Sequence, residues 1–290
     1  YGSSAIGGVI NIITKKGEGK PKLFLSGEGG SFNTFRESAG LSGSVKSFHY
    51  SFGLSHLNSR GLSTASRRYG NIERDGYDNV SASSRLGISL NKHIDTDFSL
   101  RYTRTDTDID NGGGAGRDDV NNKGKSLQLM ANGKIKINLF EGKWLQSLEF
   151  GTSRNDRSYK NPSDFQHPSD SERSNYSGRL DKFGWQHIVE IHKTNILTFG
   201  AELKEETGRS DYYWISAWGP DFNNFPRETA RNKGYYLQDQ IRLGGQFFAT
   251  AGIRLDDHSE IGSKTTYRIA PAYLIKKIDM KIRGTYGTGV

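Results

Sequence analysis

Apolar and polar residues alternate with a period of two along most of this chain. Phe48, Tyr50, Phe52 and Leu54 are separated by His49, Ser51 and Gly53. Phe98, Leu100 and Tyr102 oppose Asp97, Ser99 and Arg101. The pattern returns in Leu127, Leu129 and Ala131, in Phe183 and Trp185, in Leu197, Phe199, Ala201 and Leu203, and in Ala249, Ala251, Ile253 and Leu255. Successive side chains of a strand point to opposite faces, so each segment has one apolar and one polar face. Helical periodicity is nearly absent. The reading gives about thirteen strands, beginning with 22–31 and 34–45.

The connections also alternate. Short turns fall near 45–48, 91–94, 138–144, 192–195, 243–246 and 275–278. Between them lie longer polar stretches, 58–76, 104–124, 155–174, 205–230 and 256–264. A soluble sandwich needs crossovers and has no such rhythm. Up-and-down membrane barrels do, with short periplasmic turns and long extracellular loops. Strands of about ten or more residues suit the tilted crossing of an outer membrane. The predicted class is all-β, a transmembrane antiparallel up-and-down barrel. An odd strand count and a last segment that stops in mid-pattern at Val290 point to a fragment, because an unpaired edge of that length templates aggregation.

Composition now makes sense. The 290 residues are 33% hydrophobic and include 36 glycines, with a mean hydropathy of -0.70. That is polar for a large dry core. A wide barrel needs only half of each strand apolar, facing lipid, and keeps water inside. There is no run of about eighteen apolar residues to form a transmembrane helix. With no cysteine, disulfide frameworks, zinc ribbons, iron–sulfur clusters and thiol catalysis are excluded. Net charge is +8, yet basic residues occur only as pairs such as Lys15-Lys16 and Arg67-Arg68, so no nucleic-acid partner is expected.

One segment breaks the alternation. Residues 1–14, YGSSAIGGVINIIT, form a short, strongly apolar stretch followed by a charged connector. This segment resembles the end of the plug domain of TonB-dependent outer-membrane receptors. Residues 231–237 (RNKGYYL) and 284–289 (GTYGTG) are similar to barrel segments of the same family, and GIRLDDHS at 252–259 brings the vitamin B12 (cobalamin) receptors closest. The resemblance implies residues 1–16 as the C-terminal end of a plug domain and 17–290 as the N-terminal part of the barrel, about 13 of 22 strands. It implies TonB-energised uptake of cobalamin or an iron chelate, with the TonB–ExbB–ExbD complex, outer-membrane lipid and a small-molecule ligand as partners. A passive porin is the alternative reading, and a soluble β-rich binding protein a third. The plug-like segment separates the first from the porin.

No enzyme motif is present: no G-x-S-x-G elbow, no P-loop and no H-E-x-x-H pair. Residues 112–116 (GGGAG) read as a loop tip. Asp106, Asp108 and Asp110 sit at alternate positions where a strand runs into a long loop, with their carboxylates on one side. Glu73, Asp75 and Asp78 end the preceding long loop. Hard oxygen ligands in such a group suit calcium, whereas pairing with Arg101, Arg104 or Arg117 is the simpler account. The resemblance places calcium-binding aspartates of vitamin B12 receptors nearest Asp75 and Asp106. Tyr212, Tyr213, Trp214 and Trp218 in the 205–230 stretch are candidates for stacking on a ligand. Inward-facing Arg85, Arg101, Lys134, Arg254, Arg268, Lys281 and Arg283 are expected to pair with plug carboxylates or to favour an anionic solute.

Overall fold

Alternation along each segment becomes a continuous antiparallel sheet. The computed structural model describes residues 14–110, 118–165, 168 and 171–289. The plug-like residues before Thr14 and the glycine run at 112–116 lie outside these. The strands are β1 (Lys22–Gly30), β2 (Thr34–Val45), β3 (Phe48–Ser59), β4 (Tyr77–Ser89), β5 (Ile94–Asp108), β6 (Lys123–Leu139) and β7 (Trp144–Asn161). They continue with β8 (Ser171–His192), β9 (Asn195–Ser216), β10 (Gly219–Leu243), β11 (Phe247–His258), β12 (Gly262–Ile275), β13 (Met280–Arg283) and β14 (Tyr286–Gly287). Each strand from β1 to β13 pairs with its sequence neighbour, and β14 resumes the pairing of β13 on β12. This is the up-and-down meander that the short–long rhythm predicts. Among the described residues β1 and β13 end the path without pairing to each other.

The register aligns the apolar positions across strands. One row runs Leu41, Phe52, Ser84, Leu100, Ala131, and another runs Leu148, Trp185, Ala201, Tyr235, Leu255. These side chains are not buried against other protein: Leu25 is 70% exposed, Leu54 55% and Phe183 50%. The only buried hydrophobic residue among those described is Ala65. A soluble fold cannot leave its aliphatic rows uncovered, which removes the soluble alternative. For a barrel, lipid supplies the apolar surroundings.

The opposite face is polar and carries the connector. Lys16 pairs with Asp95 at 3.3 Å, Arg85 donates to the Thr14 carbonyl, and His49 Nδ1 meets the Gly17 carbonyl at 3.0 Å. Three of the seven inward cations, Arg85, Lys134 and Arg254, have carboxylate partners on the barrel wall itself; the expected pairing with plug carboxylates falls outside the described residues. Arg85 pairs with Asp97 at 2.8 Å, Lys134 with Glu149, and Arg254 bridges Glu202 and Asp256 at 2.7 and 2.8 Å.

Two predicted loops are strands. Residues 205–230 belong to a hairpin of β9 (22 residues) and β10 (25 residues), and 256–264 lie in the tight β11–β12 hairpin. A transmembrane strand needs only about 9–11 residues, so β8, β9 and β10 rise far above the bilayer. Both faces of the ribbon then meet water, and the apolar–polar alternation disappears while the backbone pairing persists.

Candidate metal centre and vestibule

Residues 60–76, with 109–110 and 118–122 of the next loop, cap β3–β6. The first folds back on itself: Gly61 takes φ +67°, where an added Cβ would collide with the Asp75 carbonyl, and Asp75 N–H donates to Leu62 O at 3.1 Å. A left-handed backbone of this kind favours glycine. The strand end is continuous with the second loop, since Asp108 N–H donates to Gly76 O at 2.9 Å and Ile109 N–H to Asn122 O at 3.0 Å.

This folding gathers Glu73, Asp75 and Asp110, each with a carboxylate oxygen within 4.8 Å of the others. Part of their hydrogen-bonding capacity is used. Asp110 Oδ2 accepts from Ala65 N–H at 2.6 Å and Thr64 Oγ1 at 3.1 Å, and Asp75 Oδ2 accepts from Thr64 N–H. Glu73 Oε2 and Asp75 Oδ1 are buried and have no hydrogen-bond partner; Asp75 is only 8% exposed. Burial, then the charges of Asp110, Asp75, Asp118 and Asp108, push the Glu73 carboxyl up to about 7. Burial likewise raises Asp75, against the lowering effect of the Thr64 N–H bond. Oxygens bound to one calcium at 2.3–2.6 Å lie no more than about 5 Å apart, so the cluster has a spacing that one hard cation can satisfy. Two buried carboxylate oxygens without donors supply ligand capacity that the fold itself does not use.

The six acidic positions of the sequence reading divide into two sets. Asp78 and Asp106 stand opposite each other in register, away from the cluster. Asp78 accepts from His56 Nε2 at 2.9 Å and Asn58 Nδ2 at 3.0 Å. Asp106 pairs with Arg104 at 2.9 Å and Lys125 at 3.4 Å. Asp108 pairs with Lys123 at 3.2 Å. Strand alternation fixes these three, whereas Asp110 lies past the strand end and turns toward the neighbouring loop. Asp118, outside the six candidates, braces the site: its Oδ2 accepts from Ile72 N–H at 2.5 Å and Glu73 N–H at 3.0 Å. Asp119, 1% exposed, accepts from Asn161 Nδ2 at 3.0 Å and ties β7 to the same cap.

The four candidate aromatics also separate. In β9 the even positions share the polar face with Glu202 and Lys204, so Tyr212 and Trp214 face inward. Tyr213 faces outward and packs on Phe222, ring centroids 4.7 Å apart. Trp218 stands at the hairpin tip, 98% exposed. Below Tyr212 and Trp214 the inner wall holds a concavity of about 650 Å³ lined by Asn155, Tyr176, Leu180, Glu206 and Phe225 among others. Tyr176 and Phe225 were missed in the sequence; carrying the alternation up from Phe183 would have placed Tyr176 on the inner face.

Comparison with known proteins gives a consistent picture. The description "TonB dependent receptor-like, beta-barrel" matches residues 24–290. The chain is 26% identical over 293 aligned positions to the vitamin B12 transporter BtuB of Photobacterium profundum, covering all of this chain and 44% of that protein; it thus spans under half of that relative's length. Two solved structures share the fold. The ferric yersiniabactin uptake receptor FyuA from Yersinia pestis superposes with a TM-score of 0.71 at 16% identity, over 99% of this chain and 46% of that one. The FpvAI receptor of the FpvAI–pyocin S2 complex gives 0.76 at 12% identity, over 99% and 43%.

Proposed function

The chain belongs to the TonB-dependent receptor β-barrel family of the outer membrane, a family of receptors and transporters, and on that premise we propose that the protein imports a scarce small molecule with energy delivered by TonB. The ligand class we favour is cobalamin, with an iron chelate as the alternative. The observation that carries this choice is the alignment of the entire chain with a vitamin B12 transporter. The inward Tyr212 and Trp214, above a concavity bearing Tyr176 and Phe225, offer flat apolar surfaces for a large planar ligand, and Asn155 and Glu206 offer polar anchors. The partner in energy transfer would be the TonB–ExbB–ExbD complex, acting on a plug of which residues 1–16 are the end. No enzymatic step is part of the reading.

Calcium belongs to the same proposal. Glu73, Asp75 and Asp110 would hold it, and its bound charge would relieve the repulsion among carboxylates that lie within 4.8 Å of one another. Ordering these loops would fix the vestibule rim that meets the ligand.

Equilibrium binding to the full-length protein tests the ligand. Cyanocobalamin is expected to bind saturably, and more tightly with calcium than with chelator. Saturable binding of a ferric chelate instead would select the alternative, and binding of neither would defeat the reading.

A further inference from the structure

The inner face of the tall β8–β10 ribbon carries a charge pattern that stacking on a ligand does not require. Cross-strand register sets this face out row by row. Trp214 lies between Glu172 and Asp221, and Tyr212 between Ser174 and Asn223. Below them Ser210 lies between Tyr176 and Phe225, and Gly208 between Gly178 and Glu228. Glu206 follows, between Leu180 and Ala230. Residues opposite one another in an antiparallel pair share a face, with Cβ atoms about 4.5–5.5 Å apart. A carboxylate therefore stands on either side of Trp214, and Glu228 and Glu206 lie beneath. Burial, then the charges of Glu172 and Asp221, raise the Tyr212 hydroxyl above its ordinary value.

These carboxylates are not used up by the wall. Among the described residues Glu206 pairs with Lys204, and Asp221 accepts the Phe222 N–H at 2.8 Å, whereas Glu172 and Glu228 form no ion pair. At the inward positions of β7–β10 above Lys204 the cation that stands against them is Arg157, opposite Tyr176; Arg227 sits in the bulge between Phe225 and Glu228. The wall below is balanced instead, with Lys182 and Arg254 sharing Glu202. The chain carries a net charge of +8, so an acidic upper wall runs against its composition. The same wall presents Trp214, Tyr176 and Phe225 at 36%, 47% and 51% exposure, on the watery side where no lipid covers them. Asn155 Oδ1, in the concavity beneath, is buried and has no hydrogen-bond partner. Aromatic faces attract cations through the ring quadrupole, Trp most strongly, and an acceptor without a donor suits a ligand N–H. An anion would meet repulsion here and could offer Asn155 nothing.

We propose that this wall selects the imported molecule by charge, favouring a cationic over a neutral ligand and a neutral over an anionic one, with Glu172, Asp221 and Glu228 setting the preference. Three observations carry it: a concavity of about 650 Å³, exposed aromatic faces around it, and carboxylates in register with those aromatics that no wall cation neutralises. A cleft lined by one sign of charge concentrates ligands of the opposite sign. The inference rests on the reading of the protein as an importer of cobalamin or an iron chelate. It narrows the second alternative to chelates that are neutral or cationic once loaded.

Equilibrium binding to the full-length protein, at one fixed calcium concentration, tests this with ligands of one shape and different charge. The probes are cyanocobalamin, its derivative with one side-chain amide hydrolysed to a carboxylate, and its derivative with the same amide extended by an aminoethyl group. A parallel set is ferrioxamine B, whose free ammonium makes it a cation, with its N-acetyl and N-succinyl forms. Within whichever set binds, affinity is expected to fall about threefold per unit charge from cation to anion in salt of about 0.05 M. At about 1 M salt, where the Debye length is about 3 Å, the whole order should shrink to less than about twofold. The variant Glu172→Gln, Asp221→Asn, Glu228→Gln is expected to lose most of the order even at low salt. Asp211→Asn, opposite Asn175 on the outward face of the same ribbon, is expected to keep it. An anionic form that binds as tightly as the cationic one, an order unmoved by salt, or an equal loss in the Asp211→Asn variant would overturn the inference and leave the importer reading in place. Binding of neither set would defeat that reading and this inference with it.

Discussion

Lowering the pH should empty the proposed calcium site in a way the structure makes quantitative. Glu73 sits at about 7, above its ordinary 4.5, because of burial and the neighbouring carboxylates. Calcium binds the ionised group, so protons compete with it. A carboxyl at about 7 is roughly nine-tenths ionised at pH 8 and one-tenth at pH 6, so affinity should fall about tenfold between them. Asp75, also raised, steepens the fall further below. Without calcium the sign reverses: the folded loop holds its proton up to about 7 while the unfolded chain loses it near 4.5, so loop stability declines as pH rises through that window. Calorimetric titration at pH 8 and pH 6, in buffers of different ionisation enthalpy, measures both the affinity and the released proton. Hydrogen exchange at the amides of Thr64, Ala65, Ile72 and Glu73 reads the loop directly, since all four donate to cluster or bracing carboxylates. The Glu73→Gln variant should bind more weakly at pH 8 but with a flatter pH profile. Equal affinity at the two pH values with no proton release would refute the reasoning.

Other expectations follow from packing, charge and facing. A Cβ at Gly133 would enter the ring of Phe150, so Gly133→Ala should destabilise the barrel by about 1–3 kcal/mol, read by urea unfolding in lipid vesicles, and adding Phe150→Ala should recover part of it. Arg254→Ala takes the guanidinium from Glu202 and Asp256, which are 17% and 8% exposed and keep only Lys182 and Asn232 as partners; the loss should be about 1.5–3 kcal/mol, and larger than for Arg179→Ala on the outer face. Because Trp214 faces the vestibule and Tyr213 packs on Phe222, Trp214→Ala should weaken ligand binding severalfold by equilibrium titration, while Tyr213→Ala leaves it unchanged.

The barrel was legible because a lipid-exposed strand obeys a simple rule. One face must be apolar and the other polar, so Phe98, Leu100 and Tyr102 mark β5 without any tertiary information. That rule fails above the membrane. Residues 205–230 have water on both sides, so the β9–β10 hairpin reads as loop although its register with β9 is nearly unbroken. The metal cluster was legible only in part. Alternation correctly puts Asp106 and Asp108 on one face, but that face lies beside Lys125 and Lys123 on β6, and pairing across strands is not visible in one sequence. Asp110 joins Glu73 and Asp75 because the chain turns after β5, and no periodicity describes a turn. Asp118 acts through two backbone N–H groups of the other loop, a contact that only the folded loops create. The inner charges show the same limit: Arg254 meets Glu202 across two strand pairings, which spacing along the chain cannot reveal.

Energised import through a plugged barrel is tested most directly by uptake of radiolabelled cobalamin into cells whose only candidate receptor is the full-length protein. Accumulation should require both TonB and the proton gradient, falling to background when either is removed while surface binding persists. Uptake that continues without TonB or after the gradient is collapsed would contradict the account and favour a passive channel.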